Sequence, residues 1–296
     1  MFNGKQITVF IANDSYAYVF KKLVNKNIVD LVVTIDRDTL FNFGSTNYFD
    51  VREVYNDKIY YASKYSLKAE ADRRFFSENN FDIGIVLGWS KIIPQYVIDT
   101  FNIGIIGFHD TPFELPDGRG HSSSIWTLVL GYNVSHVYAF KLTEHVDEGD
   151  ILAHRKLTVN IVDDISTLHI KQSLLMENMI YEAIDNLIRE NGIPQNMGLI
   201  KFRKRGEKDG KIIWHLGADR VYNLVRAITK PYPGAWTFYR EEKLRIWRGV
   251  PVYEVGGEPG KVLAVIGDKF VVGCGKDSFL VTEWTGRLPY EGDVLK

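Results

Sequence analysis

The sequence predicts an α/β chain: a mostly parallel sheet covered by helices, followed by a small β-rich unit. Three observations carry this expectation. Short β-branched apolar runs alternate with helix-length stretches through the first half, a long amphipathic helix spans 165–190, and the last third breaks into short strands separated by glycine turns. Strands that read as continuous apolar runs are those buried on both faces, which is the condition of a parallel sheet.

Each element follows from its local pattern. Strands are expected over 6–12, 28–34, 83–89, 104–108 and 134–142, and helices over 16–25, 69–80, 94–100, 122–130 and 165–190. Asn13-Asp14-Ser15 precedes the first helix with side chains that accept from free helical N–H groups. Asn191-Gly192-Ile193-Pro194 stops the long helix, since glycine takes a left-handed terminus and proline cannot continue the ladder. A boundary therefore belongs near residue 198, giving units 1–198 and 199–296. In the second unit a helix is expected over 219–227 and strands over 243–247, 260–265, 269–274 and 279–284, which a small barrel would close.

Composition narrows the function. With 45% hydrophobic residues in 296, there is enough apolar material for a core, and disorder is not indicated. No run approaches the roughly 20 apolar residues of a membrane helix, and Met1-Phe2-Asn3-Gly4-Lys5 does not read as a signal peptide, so a cytoplasmic protein is expected. Cys274 is the single cysteine and the histidines are dispersed, so neither a thiolate cluster nor a metal site is expected. Lysine plus arginine minus aspartate plus glutamate gives 18 − 25 = −7 for residues 1–199 and 18 − 12 = +6 for 200–296. Such asymmetry fits either a nucleic-acid surface or an ordinary solvated face.

The chemistry gathers in two stretches. Residues 107–120 place His109 just past an apolar strand, and Val146-Asp147-Glu148-Gly149-Asp150 supplies a carboxylate at the end of another. An imidazole titrating near neutrality, held by a carboxylate, suits removal of a proton from an amine nucleophile. The alternatives are a strand-end structural histidine and a turn aspartate.

These stretches resemble the active-site strip of the folate-dependent formyltransferases: Asn-x-His, then Ser/Thr, Leu-Pro, Arg-Gly and a later Asp-x-Gly. His109, Thr111, Leu115-Pro116, Arg119-Gly120 and Asp147-Glu148-Gly149 follow that order, but Gly107 stands where the asparagine is expected. Arg226 to Ala235 likewise resembles the Arg-Ala-x-Thr-x-Pro-Tyr-Pro-Gly-Ala motif of the carboxyl-terminal extension. The resemblance implies a Rossmann-like formyltransferase domain, an OB-like barrel, and N10-formyltetrahydrofolate as co-substrate. It makes His109 the base and Asp147 its orienting partner, and it aligns Lys91, Ile93, Leu142, Thr143 and Glu144 with pterin contacts.

Losing the asparagine removes an oxyanion donor, a deficit of about 2.7–4 kcal/mol where one has been deleted elsewhere. Three substitutes are available: a water in the space beside Gly107, the protonated His109 ring, or a polar chain from Asp110 and His121-Ser122-Ser123-Ser124. Those serines could equally cap the following helix. Asp110, Arg119, His121 and Ser122 are therefore weak substrate-binding candidates, Arg119 more as a loop anchor than a ligand. Trp89 and Trp126 are pocket walls or core.

The resemblance favours a nucleotide-linked amino sugar as acceptor, for surface-glycan synthesis, with the tyrosines between Tyr48 and Tyr65 either stacking on a base or packing in the core. Methionyl-tRNA formyltransferase is the alternative, suggested by the basic second half. A non-catalytic folate or nucleotide-sugar binding protein is a third reading, raised by Gly107. The small β-rich unit could also serve as a homodimer surface.

Overall fold

The computed structural model describes residues 4–42 and 48–296, so the Met1–Asn3 start lies outside it. Its strands and helices divide between two compact units. One comprises Met1–Gly120, His136–Leu157 and His169–Lys201; the other comprises His121–Ser135, Thr158–Leu168 and Phe202–Lys296.

In chain order the first part contains β1 (Ile7–Ile11), α1 (Ala17–Asn25), β2 (Leu31–Thr34), α2 (Arg37–Asn42), β3 (Ile59–Tyr61), α3 (Glu70–Ser77), β4 (Phe81–Leu87), α4 (Gln95–Ile98) and β5 (Phe101–Thr111). Then come β6 (Arg119–Gly120), α5 (Ser123–Val129), β7 (Val134–Lys141), β8 (Ile151–Thr158), α6 (Ile165–Ile188) and β9 (Lys201–Phe202). Seven strands form one sheet in the order β3-β2-β1-β4-β5-β7-β8. It is parallel from β3 to β5, and β7 runs antiparallel to β5.

Strand alternation builds two cores. Ile7, Val9 and Ile11 face Phe20 and Leu23 of α1 and Met179 of α6, while Phe10 faces Phe76 of α3 and Val97 of α4. Both faces are covered, as a parallel sheet requires.

Several boundaries differ from the sequence expectation. The second strand begins at Leu31 rather than 28, because Asn27 adopts φ 53° and Ile28 N–H donates back to Leu23 O, closing α1. Helix α3 starts at Glu70: the buried Asp72 carboxylate accepts from the N–H groups of Ala69, Ser63 and Lys64. The fifth strand does not stop at 108 but runs to Thr111, since β7 keeps pairing with it to Thr111↔His136. Strands β3 and β8 were not expected at all.

In the second unit α7 (Ala218–Ile228) is followed by β10 (Ala235–Tyr239), β11 (Glu242–Val252), β12 (Val262–Ile266), β13 (Lys269–Gly273) and β14 (Ser278–Thr285). These strands form one antiparallel sheet, ordered β10-β11-β14-β13-β12. The chain end supplies the closing segment. Phe238 and Lys296 exchange backbone bonds of 2.7 and 2.8 Å on one side, while Val262 N–H reaches Asp293 O and Leu295 N–H reaches Gly260 O, each 2.8 Å, on the other. Cys274 is buried just after β13, and burial pushes its thiol up to about 12.

Arg226, the first residue of the recurrent motif, is buried on α7. Its guanidinium donates to Asp163 O (2.9 Å), Asn160 O (3.1 Å) and Asn223 Oδ1 (2.9 Å). It is an anchor for the 160–163 turn. Replacing Arg226 by Met removes the donor to Asp163 O and is expected to destabilise by about 2–3 kcal/mol, seen as a fall of roughly 4–12 °C in the thermal midpoint. Cys274 should stay inert to a thiol reagent at pH 8 until the protein is unfolded.

Candidate functional site

On β5, Ile105, Gly107 and His109 alternate onto one face of the sheet. The His109 ring is buried, with Nε2 2.9 Å from Gly118 O and Nδ1 3.5 Å from Asp147 Oδ2. A carbonyl can only accept, so Nε2 carries the hydrogen. Nδ1 is left as the nitrogen able to gain or lose a proton, and it faces a carboxylate.

The loops that hold this pair explain their glycines. Gly118 has φ 78°, and a Cβ there would lie 1.8 Å from Thr111 Oγ1. A Cβ at Gly149 would lie 1.6 Å from Lys141 O. Asp147 itself has φ 57°, and its Oδ2 accepts from Gly120 N at 3.1 Å. The Asp-Glu-Gly and Asp-Gly-Arg-Gly stretches are thus written by close backbone approach as well as by chemistry.

Arg119 is buried beneath these loops and ties them together. It donates to Gln195 Oε1 (2.8 Å) and Asn196 O (3.1 Å), and lies 3.2 Å from Glu148 Oε1. Gln195 Nε2 in turn reaches Asp147 O (3.1 Å) and Gly149 O (2.5 Å). The anchor reading of Arg119 matches its surroundings. Gln195 was missed, because Gly192-Ile193-Pro194 reads only as a helix stop and nothing local marks the next side chain.

The remaining candidates scatter. Ile93 is buried in the apolar cluster of Ile105 and Trp89, and Leu142 packs against the same cluster. Thr143 Oγ1 and the His145 backbone bond each other, Glu144 is exposed beside His145, and Lys91 lies in the turn after β4. Asp110 alternates with His109 along β5, and both border a water-sized cavity with Gln172 and Met176 of α6. Burial pulls the nearby His169 imidazole below its ordinary range, against the charges of Asp110 and Asp14.

The position beside Gly107 is closely packed: a Cβ there would meet Leu142 Cδ2 and Phe140 Cζ at 3.0 Å each. One further expectation needs correction: the serines do not cap α5, since Ser122 takes φ 60° with no side-chain cap bond and Ser123 and Ser124 are buried inside the helix. His121, in the same unit as α5, donates its N–H to Phe202 O. Of the tyrosines, Tyr55 and Tyr65 are core and Tyr60 stacks on Phe75 at 3.6 Å, while Tyr61 is exposed.

Residues 3–184 match the family model described as formyl transferase, and residues 205–287 match formyl transferase, C-terminal domain. The chain belongs to the formyl transferase family. It is 30% identical to methionyl-tRNA formyltransferase of Citrifermentans bemidjiense over 223 residues, covering 73% of this chain and 69% of that one. By fold it is similar to WlaRD, a sugar 3N-formyl transferase solved with dTDP and 5-N-formyl-THF, at TM-score 0.66 and 17% identity over 96% of this chain and 99% of that one. It is also similar to HypX from Aquifex aeolicus solved with tetrahydrofolic acid, at TM-score 0.68 and 17% identity, over 96% of this chain and 44% of that one.

As a formyl transferase the chain is an enzyme, and Gly107 is its departure from the Asn-x-His strip. Restoring the side chain should not restore a donor. Gly107→Asn is expected to overpack against Leu142 and Phe140, lowering stability by about 1–3 kcal/mol in a thermal melt and leaving turnover no higher. Adding Leu142→Ala should recover much of the loss.

Proposed function

We propose that this formyl transferase moves the formyl group of N10-formyltetrahydrofolate onto the primary amine of a nucleotide-linked amino sugar, with His109 and Asp147 handling the proton. The observation that carries the reading is the fixed imidazole, its Nε2–H given to Gly118 O and its Nδ1 turned to Asp147. Attack of an amine on the formyl carbon makes the oxygen negative and leaves a proton to remove from nitrogen. Nδ1 takes that proton and the Asp147 carboxylate holds the resulting cation; collapse of the tetrahedral carbon then breaks its bond to N10, which receives the proton as tetrahydrofolate leaves. With Leu142 and Phe140 filling the position beside Gly107, the charged ring supplies the site's positive charge in place of an amide donor.

The pterin half has support of its own. Trp89 Nε1 is buried without an acceptor among the described residues, in the apolar cluster that holds Ile93 and packs against Leu142. An unused donor beside the residues aligned with pterin contacts suits a flat heteroaromatic ring bearing acceptors. The likeness to WlaRD and HypX, solved with folates, points the same way.

The choice of a sugar over tRNA rests on where the basic residues of the second unit go. Arg203 pairs with Asp209, Lys230 and Arg248 with Glu283, Lys243 and Arg245 with Glu207, and Arg240 with Asp293. Such exposed pairs add little stability, on the order of 0–1 kcal/mol each, and they offset part of the positive charge that a phosphate backbone would need. The match along nearly the whole of WlaRD supports the same acceptor class.

The test is formylation by mass gain, using N10-formyltetrahydrofolate with a panel of nucleotide-linked amino sugars and, separately, charged initiator tRNA. A sugar should gain the formyl group, and tRNA should not; the reverse result ends the sugar reading. His109→Ala and Asp147→Asn should each cut turnover by about 10²–10⁴-fold with the fold intact by circular dichroism.

A further inference from the structure

Asp147 is poorly placed to hold itself. It sits on a loop in a left-handed conformation, and its carboxylate has one backbone donor, Gly120 N at 3.1 Å. A residue with φ near 57° persists where its surroundings over-determine it. Here the over-determination comes from one amide. Gln195 Nε2 bridges the carbonyls of Asp147 (3.1 Å) and Gly149 (2.5 Å), so both ends of the turn hang from the same nitrogen. Its Oε1 is fixed by Arg119 at 2.8 Å, whose other bonds go to Asn196 O and Glu148. Arg119 adjoins Gly120, the carboxylate's own donor.

We infer that Gln195 is a positioning residue for Asp147, an inference that rests on the proton-handling role proposed above. Together with Arg119 it sets the distance between the Asp147 carboxylate and His109 Nδ1, without touching the reacting atoms. The chemistry of an amide is specific to the task. Gln195 must donate twice to carbonyls and accept once from a guanidinium, which leucine cannot do at all and glutamate can do only at the Arg119 end. A substrate-contacting role is not required.

The consequences are separable from simple loss of fold. Gln195→Leu should lower kcat for formyl transfer by 10–100-fold, with KM for N10-formyltetrahydrofolate changed less than twofold. In an Asp147→Asn background the same substitution should cost less than twofold, because the group it positions is already disabled. Gln195→Glu should resemble Gln195→Leu, because the two carbonyls lose their donor either way. Hydrogen exchange, which needs no acceptor, should show faster exchange in peptides covering 146–150 with α6 unchanged. Unchanged exchange in that loop, or equal kinetic losses in the wild-type and Asp147→Asn backgrounds, would overturn the inference. Full activity of Asp147→Asn would instead overturn the catalytic reading beneath it, so the two failures are told apart.

Discussion

The site depends on a change of strand partner along β5. Strand β4 pairs with β5 only as far as Ile85↔Ile106, whereas β7 pairs from Ile106↔Lys141 to Thr111↔His136. The last five residues of β5 are therefore carried by an antiparallel partner beyond the end of their parallel one. In open α/β sheets, ligands collect at the carboxyl ends of the strands. His109 lies within this extension, so its ring direction is set by ladder hydrogen bonds instead of by a mobile loop.

That rigidity places demands on the chain around it. The ring needs an acceptor at Nε2, and Gly118 O supplies it only because residue 118 can approach Thr111 closely at positive φ. Asp147 needs a sharp turn, which Gly149 permits by passing within contact of Lys141 O. Neither glycine takes part in the proposed proton transfer. Both are fixed by the geometry of the His109–Asp147 pair, which is why glycines and polar residues are interleaved in the two stretches.

The sequence made the parallel sheet, the long α6 and the strand-rich second unit legible because each has a strong local period or a clear stop. It also made His109 and Asp147 stand out, since both fall in motifs whose order survives. What it hid was non-local. Gln195 acts through carbonyls 46 and 48 residues away, and no local pattern records such a bond. Barrel closure by 293–296 was hidden for the same reason, since a four-residue tail has no period to read. The length of β5 was underestimated because it is set by β7, whose pairing runs on to Thr111↔His136.

Gly107 is best understood together with Leu142. An asparagine at 107 would bring a polar amide to the face that His109 shares; here that space is taken by Leu142 and Phe140, whose atoms come within 3.0 Å of the missing Cβ. Glycine is thus part of a packed apolar wall. Coulombic interactions strengthen as water is excluded, so a single ionised imidazole acts with more force on a developing oxyanion beside such a wall than beside solvent. The same exclusion raises the cost of an unpaired cation, and Asp147 is the carboxylate placed to offset it. In the proposed mechanism the electrostatic burden therefore falls on one His–Asp pair, and the accuracy of that pair's placement matters the more for it.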